Sequence, residues 1–313
     1  MTWSLHEVRR ARWCPHLLVG ALLCLVLPAQ VSAQASSAGQ TPGTMLDAGE
    51  YFSCSLTEGG GQNGLFEGGW LACWGENAYA QNAPPQGQFT AVSVGVDHGC
   101  ALRASGQAVC WGNPGTIATP PPVGSYIALS AGSAGSCAVR SDGQLRCWGG
   151  VMAETAPTSG NFLTVDVSQG RGCAIRSDGT LQCWQAAGVA SLGPVPAGRY
   201  LALSLGTSYA CAIRSDGKVQ CWGSNAQGQT NAPTAANFVA IASGHQHACG
   251  LQENGSIVCW GANPSGQLGA PAGKFAALSA GRLHSCARDD EGSVRCWGGG
   301  NSRGELDTPT YNY

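Results

Sequence analysis

The chain alternates short apolar runs with polar turns in one pattern that recurs seven times. In the third copy an apolar run extends from Tyr126 to Gly132, and a second run begins at Cys137 and ends at Cys147-Trp148-Gly149. The first run predicts a strand that begins on an aromatic residue. The second predicts a hairpin centred on Ser141-Asp142-Gly143. Each copy therefore encodes three to four short strands, and an irregular Pro-rich stretch leads to the next copy.

A glycine in each copy marks the hairpin turn, four residues before the second cysteine. A three-residue turn that closes on a left-handed residue needs glycine, because any side chain there would be strained. The seven glycines are Gly69, Gly106, Gly143, Gly179, Gly217, Gly255 and Gly292.

Fourteen cysteines follow the same repeat. They form seven pairs: Cys54/Cys73, Cys100/Cys110, Cys137/Cys147, Cys173/Cys183, Cys211/Cys221, Cys249/Cys259 and Cys286/Cys296. The second member recurs every 36 to 38 residues and always precedes a tryptophan: Trp74, Trp111, Trp148, Trp184, Trp222, Trp260 and Trp297. The chain is thus one supersecondary unit written seven times. A tryptophan at the same place in every unit is best explained as a residue that packs one unit on the next.

The turn geometry places the two cysteines of a copy opposite each other on adjacent strands, within bonding reach. We therefore predict seven disulfide bonds, each inside one copy and each worth roughly 2–3 kcal/mol on the chain-entropy account. The alternative is seven pairs of buried free cysteines that act as small apolar residues.

The N-terminus favours the disulfides. Arg9, Arg10 and Arg12 precede an apolar run over residues 17–27 and a small-residue site that ends at Ala33. This pattern is typical of a secretory signal peptide, and the run is too short to span a bilayer. We expect a signal peptide over residues 1–33, a short linker over 34–44, a repeat domain over 45–313 and an extracellular or periplasmic location. Cysteines in exported chains are commonly paired.

Charge narrows the possible partners. After residue 33 the chain has 13 Lys and Arg against 17 Asp and Glu, and no basic block. Such a sequence lacks the cluster of basic residues that binds a nucleic acid or an anionic membrane. We expect neither of these partners, no membrane insertion and no cofactor. The 47 glycines and 11% charged residues agree with many short strands joined by tight turns.

Seven such units must stack as a line or close into a ring. A line would need polar caps at its ends, and neither end shows one. Six copies open on an aromatic residue (Phe89, Tyr126, Phe162, Tyr200, Phe238 and Phe275), whereas the first copy has Gly43 there. The final residue, Tyr313, lies four residues after Pro309, as Phe89 does after Pro85. We therefore predict that the C-terminus closes the ring on the first blade.

The stretch from Phe238 to Gly261, with its Cys249-Gly-Leu-Gln-Glu-Asn-Gly255 hairpin, resembles repeats of the regulator of chromosome condensation type. The resemblance covers residues 45–313. It implies an all-β, seven-bladed β-propeller with one blade per repeat of about 37 residues. The cysteine pairs and the signal peptide are similar to the secreted branch, which includes bacterial propellers and crinkly-type receptor ectodomains. That group includes a secreted β-lactamase inhibitor, so the resemblance implies a binding function without naming a partner.

The turns after the first strand differ between copies, which is the layout of a binding scaffold. We take Tyr51, Asp97, His245 and Arg282 from these turns as candidates for contact with a partner. The first copy also has a hairpin lengthened by roughly nine residues, 58–66. Leu65, Phe66 and Trp70 on this arm are candidate anchors. The alternative is that the tip folds back on its own blade.

Catalytic signals are few. His98, His247 and His284 stand two residues before the first cysteine of their copies, a position that favours structural hydrogen bonding. His245 and His247 form one HxH pair without a visible carboxylate partner, so we assign no metal ligand and no catalytic residue. Residues 59–64 match GxGxxG but precede no helix, which excludes a dinucleotide site.

Three classes of function remain. The favoured hypothesis is an exported, non-enzymatic propeller that binds a protein, with enzyme inhibition as one form of that role. The alternatives are a lyase or hydrolase acting at the central channel, which would need His245, His247 and an acid to converge, and a surface adhesion module.

Overall fold

A computed structural model describes residues 45–57, 68–117, 119–133, 135–150, 152–234, 237–299 and 301–309. The expected signal peptide and linker lie outside these residues. In the described part of the chain, no helix has the length and apolar character needed to cross a membrane.

The predicted all-β, seven-bladed propeller is confirmed. Each repeat forms one three-stranded antiparallel sheet, and the strands of each sheet pair in chain order. The first strands of the seven sheets are β1 (Leu46–Ala48), β4 (Ala91–Val94), β7 (Tyr126–Ala131), β10 (Phe162–Ser168), β13 (Tyr200–Leu205), β16 (Phe238–Ser243) and β19 (Ala277–Ala280). The second strands are β2 (Phe52–Leu56), β5 (His98–Leu102), β8 (Ser136–Arg140), β11 (Arg171–Arg176), β14 (Tyr209–Arg214), β17 (His247–Gln252) and β20 (His284–Arg288). The third strands are β3 (Leu71–Gly75), β6 (Ala108–Gly112), β9 (Leu145–Trp148), β12 (Leu181–Gln185), β15 (Val219–Gly223), β18 (Ile257–Gly261) and β21 (Val294–Gly298).

The first strands of neighbouring blades contact one another all the way round, and β1 also contacts β19. These strands therefore line a central opening. Within the described residues one short helix, α1 (Met152–Thr155), interrupts the strand pattern after the third blade.

The predicted disulfide pairing is confirmed in all seven blades. The bonds are Cys54–Cys73, Cys100–Cys110, Cys137–Cys147, Cys173–Cys183, Cys211–Cys221, Cys249–Cys259 and Cys286–Cys296. The two cysteines of each bond are cross-strand partners in the register, and their Cα atoms lie 4.0–4.1 Å apart. Each blade thus carries one covalent bond between its second and third strands.

The two cysteines of a bond differ in burial. The first cysteine is at most 1% exposed in every blade. The second is only partly buried in every blade: Cys73, Cys110, Cys147, Cys183, Cys221, Cys259 and Cys296. The alternative of seven pairs of buried free cysteines is therefore wrong, because the sulfurs are bonded and one member of each pair is not fully buried.

The hairpin glycines are left-handed in six blades, with φ between 76° and 88° from Gly106 to Gly292. The expectation is wrong for Gly69. In that hairpin, whose cysteines are 19 residues apart, Gly68 has the positive φ of 117° and Gly69 forms a β-bridge with Phe89. The longer hairpin moves the left-handed residue one position back.

Seven apolar clusters fill the seven seams between blades. The cluster between the first two blades joins Phe52 and Leu56 to Val92 and Trp111. The last cluster joins Leu46 and Trp74 of the first blade to Ala277 and Val294 of the seventh. The seven tryptophans are at most 9% exposed, which confirms them as packing residues between blades.

The ring closes through several contacts between the seventh and the first blade. The Trp74 indole Nε1–H donates to the carbonyl oxygen of Glu305 at 3.0 Å, and Arg303 pairs with Glu76. The same kind of tryptophan bond joins Trp111 to Gln81 and Trp297 to Gln267 in other seams. Tyr313 lies outside the described residues, so its predicted role in closure stays a prediction.

Strand direction gives the ring two ends. The turn rim holds the turns between first and second strands, such as residues 49–51 and 244–246. The hairpin rim holds the hairpins between second and third strands, such as residues 141–144, and the beginnings of the first strands.

Candidate functional site

The turn rim gathers one residue from each blade around the mouth of the central opening. These residues are chemically diverse: Glu50, Val96, Ser133, Gln169, Thr207, His245 and Arg282. Each is the first residue of the variable pair that follows a first strand. The sequence predicts their diversity, and the ring brings them to one place.

A hydrogen bond crosses this mouth. The Gln169 side-chain amide, in the fourth blade, donates from Nε2 to Oε1 of Glu50 in the first blade. Below it the cavity measures about 130 Å³, which is small beside the roughly 300–1,000 Å³ of typical small-molecule sites. The outer surface of the rim is therefore better suited to recognition than the interior.

The wall of the opening carries a ring of mostly polar side chains that the sequence reasoning missed. They occupy one position in each blade, directly opposite the first cysteine, and six of the seven are polar: Asp47, Ser93, Ser130, Asp166, Ser204, Ala242 and Ser279. The spacing is constant, because each residue lies seven positions before that cysteine. That spacing is the signal that could have revealed them.

Six of these residues form a belt of hydrogen bonds that links each blade to the next. Each side chain accepts a backbone N–H that lies one residue after the equivalent position in the next blade. The donors and acceptors are Val94 to Asp47 (2.8 Å), Ala131 to Ser93 (3.0 Å), Val167 to Ser130 (3.0 Å), Leu205 to Asp166 (2.7 Å), Ser243 to Ser204 (2.9 Å) and Ala48 to Ser279 (2.9 Å). The Ala242 side chain has no acceptor atom, so the seam between the sixth and seventh blades lacks this hydrogen bond.

The two carboxyl-bearing residues of the belt have little exposure: Asp166 is buried and Asp47 is partly buried. Burial raises the pKa of Asp166 to about 7, against the opposing effect of its hydrogen bonds from Leu205 and Ser130; the negative charge of Asp47 raises it further. Burial also raises the pKa of Asp47. Because both groups already accept several hydrogen bonds, their geometry is that of structural acceptors between blades.

The disulfide cysteines belong to the seams and not to a binding surface. The second cysteine of each blade packs as a partly buried residue against one of the seven apolar clusters between blades. These cysteines are Cys73, Cys110, Cys147, Cys183, Cys221, Cys259 and Cys296. The bonds therefore stiffen the framework that carries the turns, and we assign the cysteines no contact with a partner.

Tyr51 and Arg282 are brought together at the seam between the first and seventh blades. The Arg282 guanidinium donates from Nη1 to the Tyr51 hydroxyl. Arg303 lies over the Tyr51 ring, with 4.0 Å between its Cζ atom and the ring centroid. The Tyr51 ring thus contacts two cations on the turn rim.

Asp97 also lies on the turn rim but is held by its own blade. Its carboxylate accepts hydrogen bonds from Asn113 at 2.6 Å and Thr116 at 3.0 Å, and His98 Nδ1 lies 3.6 Å away. The pKa of Asp97 is lowered, first by His98 and then by Asn113 and Thr116. One function of this carboxylate is therefore to order the loop at 113–116.

The histidines divide into two groups. His98, His247 and His284 are buried, and the Nε2 atom of each pairs with a serine hydroxyl of the next blade, at 2.9 Å to Ser136, 2.8 Å to Ser285 and 2.9 Å to Ser53. This is the structural hydrogen bonding expected for that position. Burial lowers the pKa of His247 and His284 to about 4.

His245 lies apart from them, at the mouth of the opening. No acid of the described residues joins His245 and His247 in one cluster, which is the arrangement that an enzyme at the channel would need. Among the described residues, no three His, Cys, Asp or Glu side chains come close enough to hold a metal ion.

Trp70, one of the three anchors predicted on the first repeat, lies at the other end of the ring. Trp70 is 51% exposed on the hairpin rim, where its backbone N–H and carbonyl oxygen hydrogen-bond Thr57. Leu65 and Phe66 lie outside the described residues. The structure thus separates Trp70 from Tyr51, Asp97, His245 and Arg282, and the candidates do not form one surface.

A family model for the regulator of chromosome condensation (RCC1) repeat matches residues 89–115, 126–150, 201–229, 238–267 and 275–305. The matched segments leave out blades 1 and 4. These are the two blades that contribute the belt carboxylates Asp47 and Asp166 and the cross-mouth pair Glu50 and Gln169. None of the curated protein sequences matches the chain.

Solved structures share the fold. The CRINKLY WD40 ectodomain of the receptor kinase ACR4 from Arabidopsis thaliana aligns with a TM-score of 0.68 at 24% identity, over 85% of this chain and 99% of that one. The ectodomain of the receptor kinase CR4 from Physcomitrella patens aligns with a TM-score of 0.69 at 24% identity, over 83% and 74%. A structure of Kap60 bound to yeast RCC1 (Prp20) aligns with a TM-score of 0.61 at 16% identity, over 96% and 87%.

Proposed function

Because this chain is a seven-bladed propeller in which five blades match the RCC1 repeat and every blade holds a disulfide bond, we propose that it is a non-enzymatic, extracellular scaffold that binds a protein through its turn rim. The observation that carries the proposal is the convergence of seven chemically different turn residues around one mouth, from Glu50 to Arg282. A repetitive polymer would be matched by similar residues in every blade. An irregular surface fits one irregular partner.

Stiffness supports this role. Seven disulfide bonds and the belt between blades fix the strands on which the turns are mounted. A turn held in advance loses less conformational freedom on binding, so more of the contact energy appears as affinity. A rigid rim that covers the entrance of a partner enzyme is also the form that an inhibitor takes, and inhibition is one outcome that the same surface supports.

Location supports it as well. Disulfide bonds persist in oxidising compartments, and the plant proteins that share the fold are receptor ectodomains. The yeast protein of similar fold is seen bound to another protein. We place this chain outside the cytoplasm, after removal of residues 1–33, with a protein as its partner.

Affinity capture from the culture medium or envelope fraction tests the proposal with the intact, disulfide-bonded protein as bait. The wild type is compared with a turn-rim variant, His245→Ala with Arg282→Glu, and with Lys274→Glu on the hairpin rim. A true partner is retained by the wild type and by Lys274→Glu. It is lost from the turn-rim variant, because truncation of a central contact costs ~1–4 kcal/mol.

The melting temperature of each bait controls for folding. A protein retained equally by all three baits binds elsewhere, and that result contradicts the proposal. Inhibition is tested by adding the purified protein to the captured partner, where that partner is an enzyme.

The arm of the first repeat is tested separately. Replacing Leu65, Phe66 and Trp70 by alanine weakens binding if the partner reaches the hairpin rim, and it leaves the melting temperature nearly unchanged. Unchanged affinity shows that the arm takes no part in binding, as the alternative of a tip folded back on its own blade predicts.

A further inference from the structure

The hairpin rim exposes three large aliphatic side chains at one position in three consecutive blades. Ile127, Leu163 and Leu201 are the second residues of β7, β10 and β13, and they are 57%, 53% and 54% exposed. In each strand the register with the second strand shifts at this residue, which is therefore the extra residue of a β-bulge. A bulge turns a side chain out of the sheet.

Among the described equivalents, this exposure is confined to one sector of the ring. The equivalent residues are Thr90 in the second blade, Val239 in the sixth and Ala276 in the seventh, and all three are only partly exposed. Because β10 contacts both β7 and β13, the three aliphatic residues occupy neighbouring blades of one rim, and we call them the aliphatic arc. Exposed Val123 and Val195 lie in the loops that lead into β7 and β13.

Positive charge surrounds the arc. The hairpin rim of blades 3–5 carries six cationic residues: Arg140, Arg146, Arg176, Arg199, Arg214 and Lys218. It carries three anionic ones: Asp142, Asp178 and Asp216. Six minus three gives a formal charge of +3. Two of these cations form ion pairs at the surface, Arg140 with Asp142 (3.4 Å) and Arg214 with Asp216 (3.5 Å). Such pairs contribute little to stability, so these arginines remain available to an acidic partner.

The neighbouring sector has the opposite charge. On blades 6 and 7 this rim carries three cations, Lys274, Arg288 and Arg295, and four acids, Glu253, Asp289, Asp290 and Glu291, which gives a formal charge of −1. The aliphatic arc thus coincides with the positive part of a rim whose charge changes sign around the ring.

We propose that the aliphatic arc, formed by Ile127, Leu163 and Leu201, is a second protein-binding surface whose partner presents aliphatic side chains flanked by carboxylates. Burial of three aliphatic side chains supplies affinity, and the surrounding arginines select an acidic partner and speed its approach. This surface is at the opposite end of the ring from the turn rim, so one molecule can hold two partners at once.

The centre of the surface distinguishes this partner from a simple polyanion. A polyanion is recognised by cations alone, and three exposed aliphatic residues would add nothing to its binding. A peptide that places apolar side chains between acidic ones matches both parts of the surface.

Selection from a library of random linear peptides displayed on phage tests the proposal, with the intact protein as target. We expect enriched sequences that combine Asp or Glu with Leu, Ile, Val or Phe. Their affinity is then measured with synthetic peptides by fluorescence anisotropy. Replacing Ile127, Leu163 and Leu201 by glutamine weakens the affinity by about tenfold or more, which corresponds to ~1.4 kcal/mol or more.

Matched variants separate the two parts of the surface. Arg199→Glu with Lys218→Glu weakens the peptide and reduces the dependence of its affinity on salt, whereas Lys274→Glu on the negative sector leaves both nearly unchanged. Leu283→Gln, which removes an exposed leucine from the turn rim, is the control for the aliphatic substitutions. Far-ultraviolet circular dichroism and melting temperature confirm that each variant is folded.

Three results overturn the proposal. The first is enrichment of peptides that lack acidic or apolar residues, or no enrichment. The second is binding that survives the triple glutamine substitution. The third is binding of heparin or phosphatidylserine vesicles that depends on the arginines but not on the aliphatic residues, which identifies a polyanion site. None of these results bears on the turn rim.

Discussion

Ser279 in the last blade donates a hydrogen bond to Asp47 in the first, with 2.8 Å between Oγ and Oδ1 across 232 positions of sequence. The same serine oxygen accepts the backbone N–H of Ala48, and the other oxygen of Asp47 accepts the N–H of Val94 in the second blade. The closing seam therefore uses the same kind of bond as five other seams. The propeller is joined near its axis by side chains as well as by packing.

Replacing Ser279 by alanine should lower the free energy of unfolding by about 1–2 kcal/mol, because the partly buried Asp47 carboxylate loses a donor and the Ala48 N–H loses an acceptor. Urea unfolding followed by tryptophan fluorescence measures the change. Ser133→Ala on the turn rim is the control, and we expect it to change stability little. If both substitutions have the same effect, the belt does not stabilise the closing seam.

The missing link at Ala242 gives the opposite prediction. Replacing Ala242 by serine supplies a hydroxyl oxygen that can accept the backbone N–H of Ala280, as the belt pattern predicts. The free energy of unfolding should therefore rise by about 0.5–1.5 kcal/mol. The measurement is the same urea titration. A fall in stability would mean that the seam between the sixth and seventh blades has no space for the hydroxyl group.

Most of the fold could be predicted from local chemistry. The hairpin glycines, the interval of ten between paired cysteines and the tryptophan that follows each pair are all set within one repeat. They therefore predict the strands, the disulfide bonds and the packing residues. The exception, Gly69, lies in the hairpin whose length departs from the rest.

The candidate site was harder to predict from the sequence, because it depends on contacts between different repeats. Asp47 and Asp166 lie in mainly apolar strands, so the sequence around each shows only an isolated polar residue. Their partners belong to the next blade, as Leu205 does for Asp166. Likewise the sequence places Trp70 on a lengthened hairpin and Arg282 on a turn after a first strand, and only strand direction shows that they lie at opposite ends of the ring.

Asp166 should make stability depend on pH. Its folded-state pKa of about 7 lies above the ordinary value of 3.8. Its contribution to stability is therefore fully present below about 3.8 and is lost as the pH rises through 7. The stability of the wild type relative to Asp166→Asn should fall between pH 4 and 7, with a slope of up to ~1.4 kcal/mol per pH unit.

The test is how the difference in unfolding free energy between the two proteins changes with pH. The asparagine amide that faces the Leu205 N–H changes this difference by a constant amount at every pH, so it does not affect the slope. His247 and His284, whose pKa values are lowered to about 4, lose their contribution as the pH falls from 6.5 toward 4. They do so in both proteins, and the effect cancels in the difference. Parallel profiles for the two proteins would show that the Asp166 carboxyl titrates alike in the folded and unfolded chains.

The last prediction concerns the C-terminal segment, where two truncations separate two ways of closing the ring. Removing residues 301–313 takes away the Glu305 carbonyl that accepts the Trp74 indole N–H and the Arg303 side chain that pairs with Glu76. This change exposes Trp74 and should lower the melting temperature by several degrees, since each lost kilocalorie per mole shifts it by roughly 2–4 °C in a domain of this size. Removing residues 309–313 alone tests Tyr313: a drop of similar size means that this tyrosine supplies the aromatic residue that the first repeat lacks at Gly43. If the shorter truncation melts with the full-length protein while the longer one does not, closure rests on residues 301–308. If neither truncation lowers the melting temperature, the belt and the seam around Leu46 and Ala277 hold the first and last blades together without the C-terminal segment.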